Sequence, residues 1–244
     1  MKAEPGSVMT DRAFRSTTAA AARAGLQVTV DGWLAHHDGP PRVLDAGCGH
    51  QMYLHIPESA TVVGIDIDPA QLEGNPKIDE KILGDLQTYP LPPASFDLVV
   101  CYEVMEHLKR PDVALENLIR TASPGALLVL GGPNLLSLKG LVTRFTPHWV
   151  HRLYYRMGGS GLEPFRTYMR QTATPGKLAH SAREGGLVTK YAVTFESPLQ
   201  ARARDRIHLT GRGWRALQAM ARAITGGRVD LAATDFMLVL SKSE

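Results

Sequence analysis

Between residues 42 and 134 the chain repeats one pattern: a short apolar run, then an acid or glycine pair, then a polar stretch with helical spacing. Val43-Leu44 runs into Asp45, and Thr61-Val62-Val63-Gly64-Ile65 into Asp66. Lys81-Ile82-Leu83-Gly84 ends at Asp85. Phe96 to Cys101 is nearly all apolar, and Ala126 to Leu130 arrives at Gly131-Gly132-Pro133-Asn134. Runs of this length and composition predict strands with both faces covered, as in a parallel sheet. Between them, Asp68-Pro69 predicts a short helix with an acid cap and proline in its first turn. Pro111 to Ala122 predicts another, with Val113, Leu115, Leu118 and Ile119 on one face, ended by Ser123-Pro124-Gly125. Strand and helix in alternation predict a doubly wound α/β sheet.

The flanks follow different rhythms. Met1 to about Arg15 is polar and predicts a flexible start. Thr17 to Ala24 is Ala-rich and favours helix, and Gln27 to His37 reads as a short amphipathic helix closed by Gly39-Pro40-Pro41, so that residues 1–38 form an N-terminal helical segment. His36 and His37 are adjacent, point apart on a helix, and are read as surface residues. Further on, Thr174-Pro175 predicts a helix capped by the threonine hydroxyl and ending at Gly185-Gly186. A strand over Leu187–Phe195, a basic stretch over Leu199–Arg212, a helix over Gly213–Ile224 and a last strand over Thr234–Leu240 complete the chain.

Residues 135–172 break the pattern. Up to Arg170 they carry six cations (Lys139, Arg144, Arg152, Arg156, Arg166, Arg170) against the single acid Glu163, and six of the chain's sixteen aromatics. One reading is a cap whose aromatics line an acceptor pocket, with arginines meeting a carboxylate, a phosphate or an anionic membrane surface. The other is an amphipathic helical lid with its aromatics in its own core. His148 and His151 share a helix face and could act as a base or hold a metal, but no third ligand stands near them, and no metal site is assigned.

Composition narrows the class. With 244 residues, 44% hydrophobic and 21% charged, the chain has room for one α/β domain plus an insertion. A net charge of +3 does not by itself argue for nucleic acid. Two cysteines, Cys48 and Cys101, exclude a disulfide framework and are read as buried thiols. No apolar run reaches the roughly 20 residues of a membrane span and no signal-peptide core is present, so a cytoplasmic protein is expected.

The chemistry centres on Val43 to Met52, VLDAGCGHQM. Gly47 and Gly49, one residue apart, let the backbone turn tightly against a ligand. Asp66, at the tip of the next strand, is suited to a ribose diol. A dinucleotide fingerprint needs a third glycine where Met52 stands, and Asp45 would set a negative charge beside a pyrophosphate. An acid there suits a ligand with a cationic end, such as the ammonium and sulfonium of S-adenosylmethionine (SAM).

This Asp-x-Gly-x-Gly order, with Asp66 after it, resembles motif I of the class I SAM-dependent methyltransferases. Arg42 to about Asn134 is similar to their type 11 branch, which often has a further glycine at the position of Gln51. The FDLVVCYEVMEHL block from Phe96 resembles motif IV and the following helix of small-molecule methyltransferases. The resemblance implies a Rossmann-like sheet of seven strands, the last antiparallel, with a helical cap insertion. It implies SAM held by Asp45, Gly47, Cys48, Gly49, Asp66 and Ile67, the adenine beside Asp85 and Leu86, and further contacts from Cys101 and Glu103. Glu106 and His107, on the strand-tip helix, form the leading acid/base pair, with His148 and His151 as other candidate bases. The implied reaction is methyl transfer to a small-molecule hydroxyl of lipid-, sugar- or polyketide-like character, with an anionic or lipid-linked acceptor allowed. N- or C-methylation, a non-catalytic SAM-binding protein and an NAD-dependent oxidoreductase are alternatives. A nucleic-acid methyltransferase is disfavoured, because Cys101-Tyr102-Glu103-Val104 stands where such enzymes often carry Asn/Asp-Pro-Pro-Tyr.

Overall fold

The computed structural model describes residues 14–50, 52–137, 140, 166–168, 170–227 and 229–243. Its strands are β1 (Arg15–Thr17), β2 (Arg42–Ala46), β3 (Thr61–Asp66), β4 (Glu80–Leu83), β5 (Phe96–Tyr102), β6 (Ala122–Pro133), β7 (Leu187–Phe195) and β8 (Asp235–Lys242). Its helices are α1 (Ala19–Leu34), α2 (Pro69–Gly74), α3 (Pro111–Thr121), α4 (Pro175–Glu184), α5 (Pro198–Arg206) and α6 (Gly211–Thr225). All eight strands form one sheet in the order β1-β7-β8-β6-β5-β2-β3-β4. Every pairing is parallel except those of β8, which runs antiparallel to both β6 and β7. The expected doubly wound sheet with an antiparallel last strand is therefore present, with one strand more than the seven predicted.

Side-chain alternation divides the core into two layers. From β5 and β6, Val99, Cys101, Leu128 and Leu130 enter the layer completed by Leu115 and Leu118 of α3 and Leu178 of α4. Leu98, Val100, Leu127 and Val129 enter the other, with Ala22, Leu26 and Val30 of α1 and Leu72 of α2. Burial of a Leu-sized side chain contributes roughly 1.5–3 kcal/mol, so these central strands dominate the stability of the frame. Asp45 falls among them and is also buried.

The additional strand, β1, lies in a segment whose sequence reads as a polar, flexible start. Its three residues, Arg-Ser-Thr, carry no strand signal of their own. The strand forms because it pairs with the outer edge of β7, which would otherwise present unpaired amides. Phe14, just before it, packs edge-on against Phe236 with ring centroids 6.3 Å apart.

Two other local expectations are corrected. The two helical pieces expected before β2 are one continuous helix, capped by the Thr18 hydroxyl, which accepts the Ala21 amide at 3.2 Å. Gly25 is tolerated inside it because Tyr191 fills the space. A Cβ there would lie 2.5 Å from the Tyr191 hydroxyl, which donates to the Ala22 carbonyl at 3.0 Å. At α4, the Thr174 hydroxyl does not cap the helix but donates back to the Gln171 carbonyl at 3.0 Å. Asp68 does cap α2, accepting the amides of Ala70 and Gln71. Among the described residues no helix is long and apolar enough to cross a membrane.

Candidate functional site

The sheet changes direction between β2 and β5, the place where α/β sheets bind ligands beyond their carboxyl ends. A cleft of about 660 Å³ opens there. Its floor is the turn after β2. Gly47 and Gly49 take φ values of +76° and +47°, in the region that favours glycine. A Cβ on Gly47 would lie 2.4 Å from Cγ2 of Val104, so the turn and the segment after β5 can approach only because the side chain is missing.

Neighbouring groups hold the turn by its backbone. The Gly47 amide donates to the Ile65 carbonyl at 2.7 Å, and the Gly49 amide donates to Asp66 Oδ2 at 3.0 Å. The other Asp66 oxygen accepts the Asp68 amide at 2.9 Å. Asn75, buried, donates to the carbonyls of Cys48 and Gly49 at 3.1 and 3.2 Å. Asp66 thus already organises the protein on both oxygens. Each carboxylate oxygen has a second lone pair, which leaves it able to accept from a diol in the cleft.

Asp45 does not line the cleft. Burial, reinforced by the nearby Asp66 charge, raises its carboxyl to about 7. Its Oδ2 is buried without a hydrogen-bond partner among the described residues. A cationic group brought to the glycine turn would offset that cost, and a diphosphate would increase it. This orphaned oxygen, with the glycine cradle above it, fits a ligand with an ammonium end.

On the β4 side, Asp85 accepts the Gln87 amide at 2.9 Å and the Gln87 side chain on both oxygens. The Asn117 amide group holds the Leu86 carbonyl at 3.0 Å. These contacts set the Gly84–Gln87 wall of the cleft. On the β5 side, Tyr102 and Glu103 enter, and Glu103 adopts a left-handed φ of +60°. Gly131 and Gly132 leave room for this bend. A Cβ on Gly131 would lie 2.3 Å from the Tyr102 ring. Tyr53 stacks on Tyr102 with centroids 4.4 Å apart, and both line the cleft.

The turn Met105–His107 follows. His107 faces the cleft, and its Nδ1 lies 3.2 Å from the Arg166 carbonyl. A carbonyl can only accept, so Nδ1 is the donor and the lone pair of the neutral ring is on Nε2. Nε2 is 3.7 Å from Oε1 of the buried Glu106. Burial lowers the His107 pKa below its ordinary value, which favours the neutral ring near pH 7.

Residues 166–168 cross beside this turn, with the Tyr168 amide donating to the Glu106 carbonyl at 2.8 Å. Three cations surround the Tyr168 ring: Arg166 at 5.2 Å, Lys109 at 5.9 Å and Arg170 at 5.9 Å. Lys109, Arg166 and Tyr168 line the cleft. No two of the three charges are more than about 12 Å apart, and none has a carboxylate partner among the described residues. At such spacing their mutual repulsion is only partly screened by salt.

Of the residues singled out by sequence, Gly47, Cys48, Gly49, Asp66, Ile67, Asp85, Leu86, Glu103 and His107 line this one cleft. Cys101 does not, because strand alternation turns it into the core and gives Tyr102 the position facing the cleft. Glu106 is buried behind His107 rather than solvated. His148 and His151, with most of the 135–172 insertion, lie outside the described residues. Cys48 and Cys101 are both free and buried. Burial pushes the Cys48 thiol up to about 12 and that of Cys101 higher, so neither is a thiolate nucleophile. Tyr168, one of the insertion's aromatics, also lines the cleft, whereas Tyr53, Gln71 and Lys109 were not expected there. Only Lys109 carried a signal, being two residues beyond His107. A second cavity of about 630 Å³, among Trp33, His37, Asp97 and Lys242, contains none of the candidate site residues.

Residues 44–130 match the methyltransferase domain family, type 11. Over 127 residues the chain is 33% identical to a probable S-adenosylmethionine-dependent methyltransferase of Mycolicibacterium smegmatis, covering 49% of each chain. Over 159 residues it is 28% identical to the ubiquinone biosynthesis O-methyltransferase of Pseudomonas aeruginosa, covering 61% of this chain and 65% of that one. The crystal structure of a SAM-dependent methyltransferase from Archaeoglobus fulgidus superposes with a TM-score of 0.51 at 17% identity, covering 95% and 97% of the two chains. The match over residues 44–130 and the shared sheet architecture support a class I SAM-dependent methyltransferase domain in this part of the chain. The cosubstrate of this class is SAM. The chain spans about half the length of the mycobacterial relative and 65% of the pseudomonad one.

Proposed function

We propose that this protein transfers a methyl group from SAM to a hydroxyl of a small anionic molecule. The observation that carries the reading is the orphaned Oδ2 of Asp45 beneath the glycine turn, beside the cleft that His107 enters. Gly47, Cys48 and Gly49 would cradle the amino-acid end of the cosubstrate over Asp45. Asp66 and Ile67 would take the ribose, and Asp85 and Leu86 the adenine. When bound, SAM supplies an electrophilic methyl on a sulfonium.

The remaining work falls to the chain's own side chains. Cleft walls would hold the acceptor beside the cosubstrate, and positioning of this kind can supply much of the rate. His107 Nε2 would accept the proton of the acceptor hydroxyl. The Glu106 carboxylate, 3.7 Å away, stabilises the imidazolium so formed. Lys109 and Arg166, which line the cleft, would meet an anionic group on the acceptor, with Arg170 beside them; none of the three has a carboxylate partner among the described residues. The tyrosine pair Tyr53 and Tyr102 offers an apolar face to the rest of it. We assign the reaction to the cytoplasm, where two free thiols stay reduced.

Calorimetric titration with SAM and with NAD tests the first step. The reading requires binding of SAM and none of NAD, and absence of SAM binding at millimolar concentration removes it. Incubating the protein with cell extract and SAM, then searching by mass spectrometry for products heavier by one CH₂, tests the second.

A further inference from the structure

Four large apolar side chains, Leu199, Ile207, Met220 and Ile224, are 61%, 70%, 54% and 77% exposed, and all lie in the excursion between β7 and β8 that contains α5 and α6. Helix α5 buries no residue, and the 15-residue α6 buries only Trp214. Leu217, Met220 and Ile224 follow helical spacing on one flank of α6, beside its buried Trp214. Both helices therefore stand against the body by very little of their surface.

The charge of this excursion is one-sided. From Pro198 to Thr225 it holds six arginines and a single acid, Asp205. Arg204 pairs with Glu196 and lies 5.3 Å from the Trp214 ring, and Arg222 pairs with Asp230. Arg202, Arg206, Arg212 and Arg215 are exposed and have no carboxylate partner among the described residues. Exposed apolar side chains interleaved with unpaired arginines are the composition of a helix that lies in the interface of an anionic membrane. A nucleic-acid surface has no use for exposed Ile and Met. A second copy of the chain would set these arginines against their own counterparts across a two-fold axis, which costs energy.

The excursion also lies on the ligand side of the sheet. It leaves from the carboxyl end of β7 and returns at the start of β8, where Phe195 and Pro133 both pair with Asp235. Pro133 ends β6, whose neighbour β5 leads directly into the cleft.

We propose that α5 and α6 form a peripheral docking surface for an anionic lipid bilayer, on the same side of the sheet as the cleft. This does not rest on the methyl-transfer reading, because it concerns a surface separate from the cleft. The test is co-sedimentation of the full chain with vesicles of phosphatidylcholine alone, and of equal parts phosphatidylcholine and phosphatidylglycerol. The expected result is about tenfold or greater preference for the phosphatidylglycerol vesicles, weakened by added salt. Met220→Glu with Ile224→Glu should abolish binding, as should replacing Arg202, Arg206, Arg212 and Arg215 by Gln, with SAM affinity unchanged in both. The arginine set alters only exposed side chains and keeps the test decisive should the first variant fail to fold. Equal binding to both vesicles, or binding that survives the arginine set, overturns the proposal. So does light scattering that shows a dimer dissolved by the glutamates, or salt-sensitive oligonucleotide binding in place of vesicle binding.

Discussion

The carboxylate of Asp66, at the tip of β3, accepts the backbone amide of Gly49 in the turn after β2 at 3.0 Å. Two strand ends are thereby locked together through the glycine turn, and the second Asp66 oxygen anchors the start of α2 through Asp68. A residue read from sequence as a ligand contact is thus also a structural clamp. Hydrogen bonds to a charged acceptor contribute roughly 1.5–3 kcal/mol. Asp66→Ala should lower stability by about 2–4 kcal/mol and weaken SAM binding, while Asp66→Asn, which keeps one acceptor oxygen, should lie between. Chemical denaturation alongside calorimetry reads both effects.

Asp45 predicts a pH dependence of the opposite sign to the usual carboxylate. Its carboxyl is raised by burial from an ordinary 3.8 to about 7, so the folded state binds the proton more tightly than the unfolded state. Stability of the ligand-free protein should be highest below pH 4 as far as this group is concerned, and fall as pH rises from about 4 to 7, by up to about 4 kcal/mol. Asp45→Asn should flatten that fall and raise the melting temperature at pH 7.5, yet weaken SAM binding about tenfold or more. Melting curves across pH, with and without SAM, measure this directly. An Asn variant that is less stable and binds SAM normally would contradict it.

His107 should set the acid limb of the pH–rate profile. Its pKa is lowered by burial, so activity should rise through a midpoint below 6.5 and level off by neutral pH. His107→Ala should cost about 10²-fold or more in kcat at neutral pH and remove that limb. His107→Asn, which can still donate to the Arg166 carbonyl, should preserve stability but not rate. Methyl transfer by the Ala variant at an undiminished rate, at every pH, would exclude His107 as the base.

The cations around Tyr168 predict acceptor selectivity. Lys109→Ala and Arg166→Ala should each raise KM for an anionic acceptor about tenfold, leave kcat nearly unchanged, and leave a neutral analogue unaffected. The wild-type KM should rise with salt, and less so in the double variant. Equal effects on charged and neutral acceptors would assign the three cations to packing alone.

Much of the frame was legible because local pattern and tertiary environment agree. The apolar runs at Val43, Thr61, Phe96 and Ala126 are β2, β3, β5 and β6, and each is buried on both faces as its composition requires. The stretch from Cys101 to His107 was expected to border the cleft, and Tyr102, Glu103, Val104 and His107 do, while strand alternation turns Cys101 into the core. Strand β1 was not legible, since Arg-Ser-Thr pairs only because the edge of β7 is there to receive it. The Thr174 hydroxyl is turned back toward the Gln171 carbonyl, to which it donates, and accepts no helix amide.

By itself the sequence determined the order of strands and helices, the glycine turn between two acids, and the negative charge set beside that turn. These depend on periodicity, on glycine's access to positive φ, and on charge, all of which are local. Only the tertiary structure decided that Asp45 is buried with an orphaned oxygen, that Asp66 clamps Gly49, and that Lys109, Arg166 and Arg170 converge on one ring. It also decided that α6 keeps a flank of Met and Ile in solvent. Such properties belong to groups distant in sequence and adjacent in space, and their energies come from desolvation and proximity that no single segment possesses.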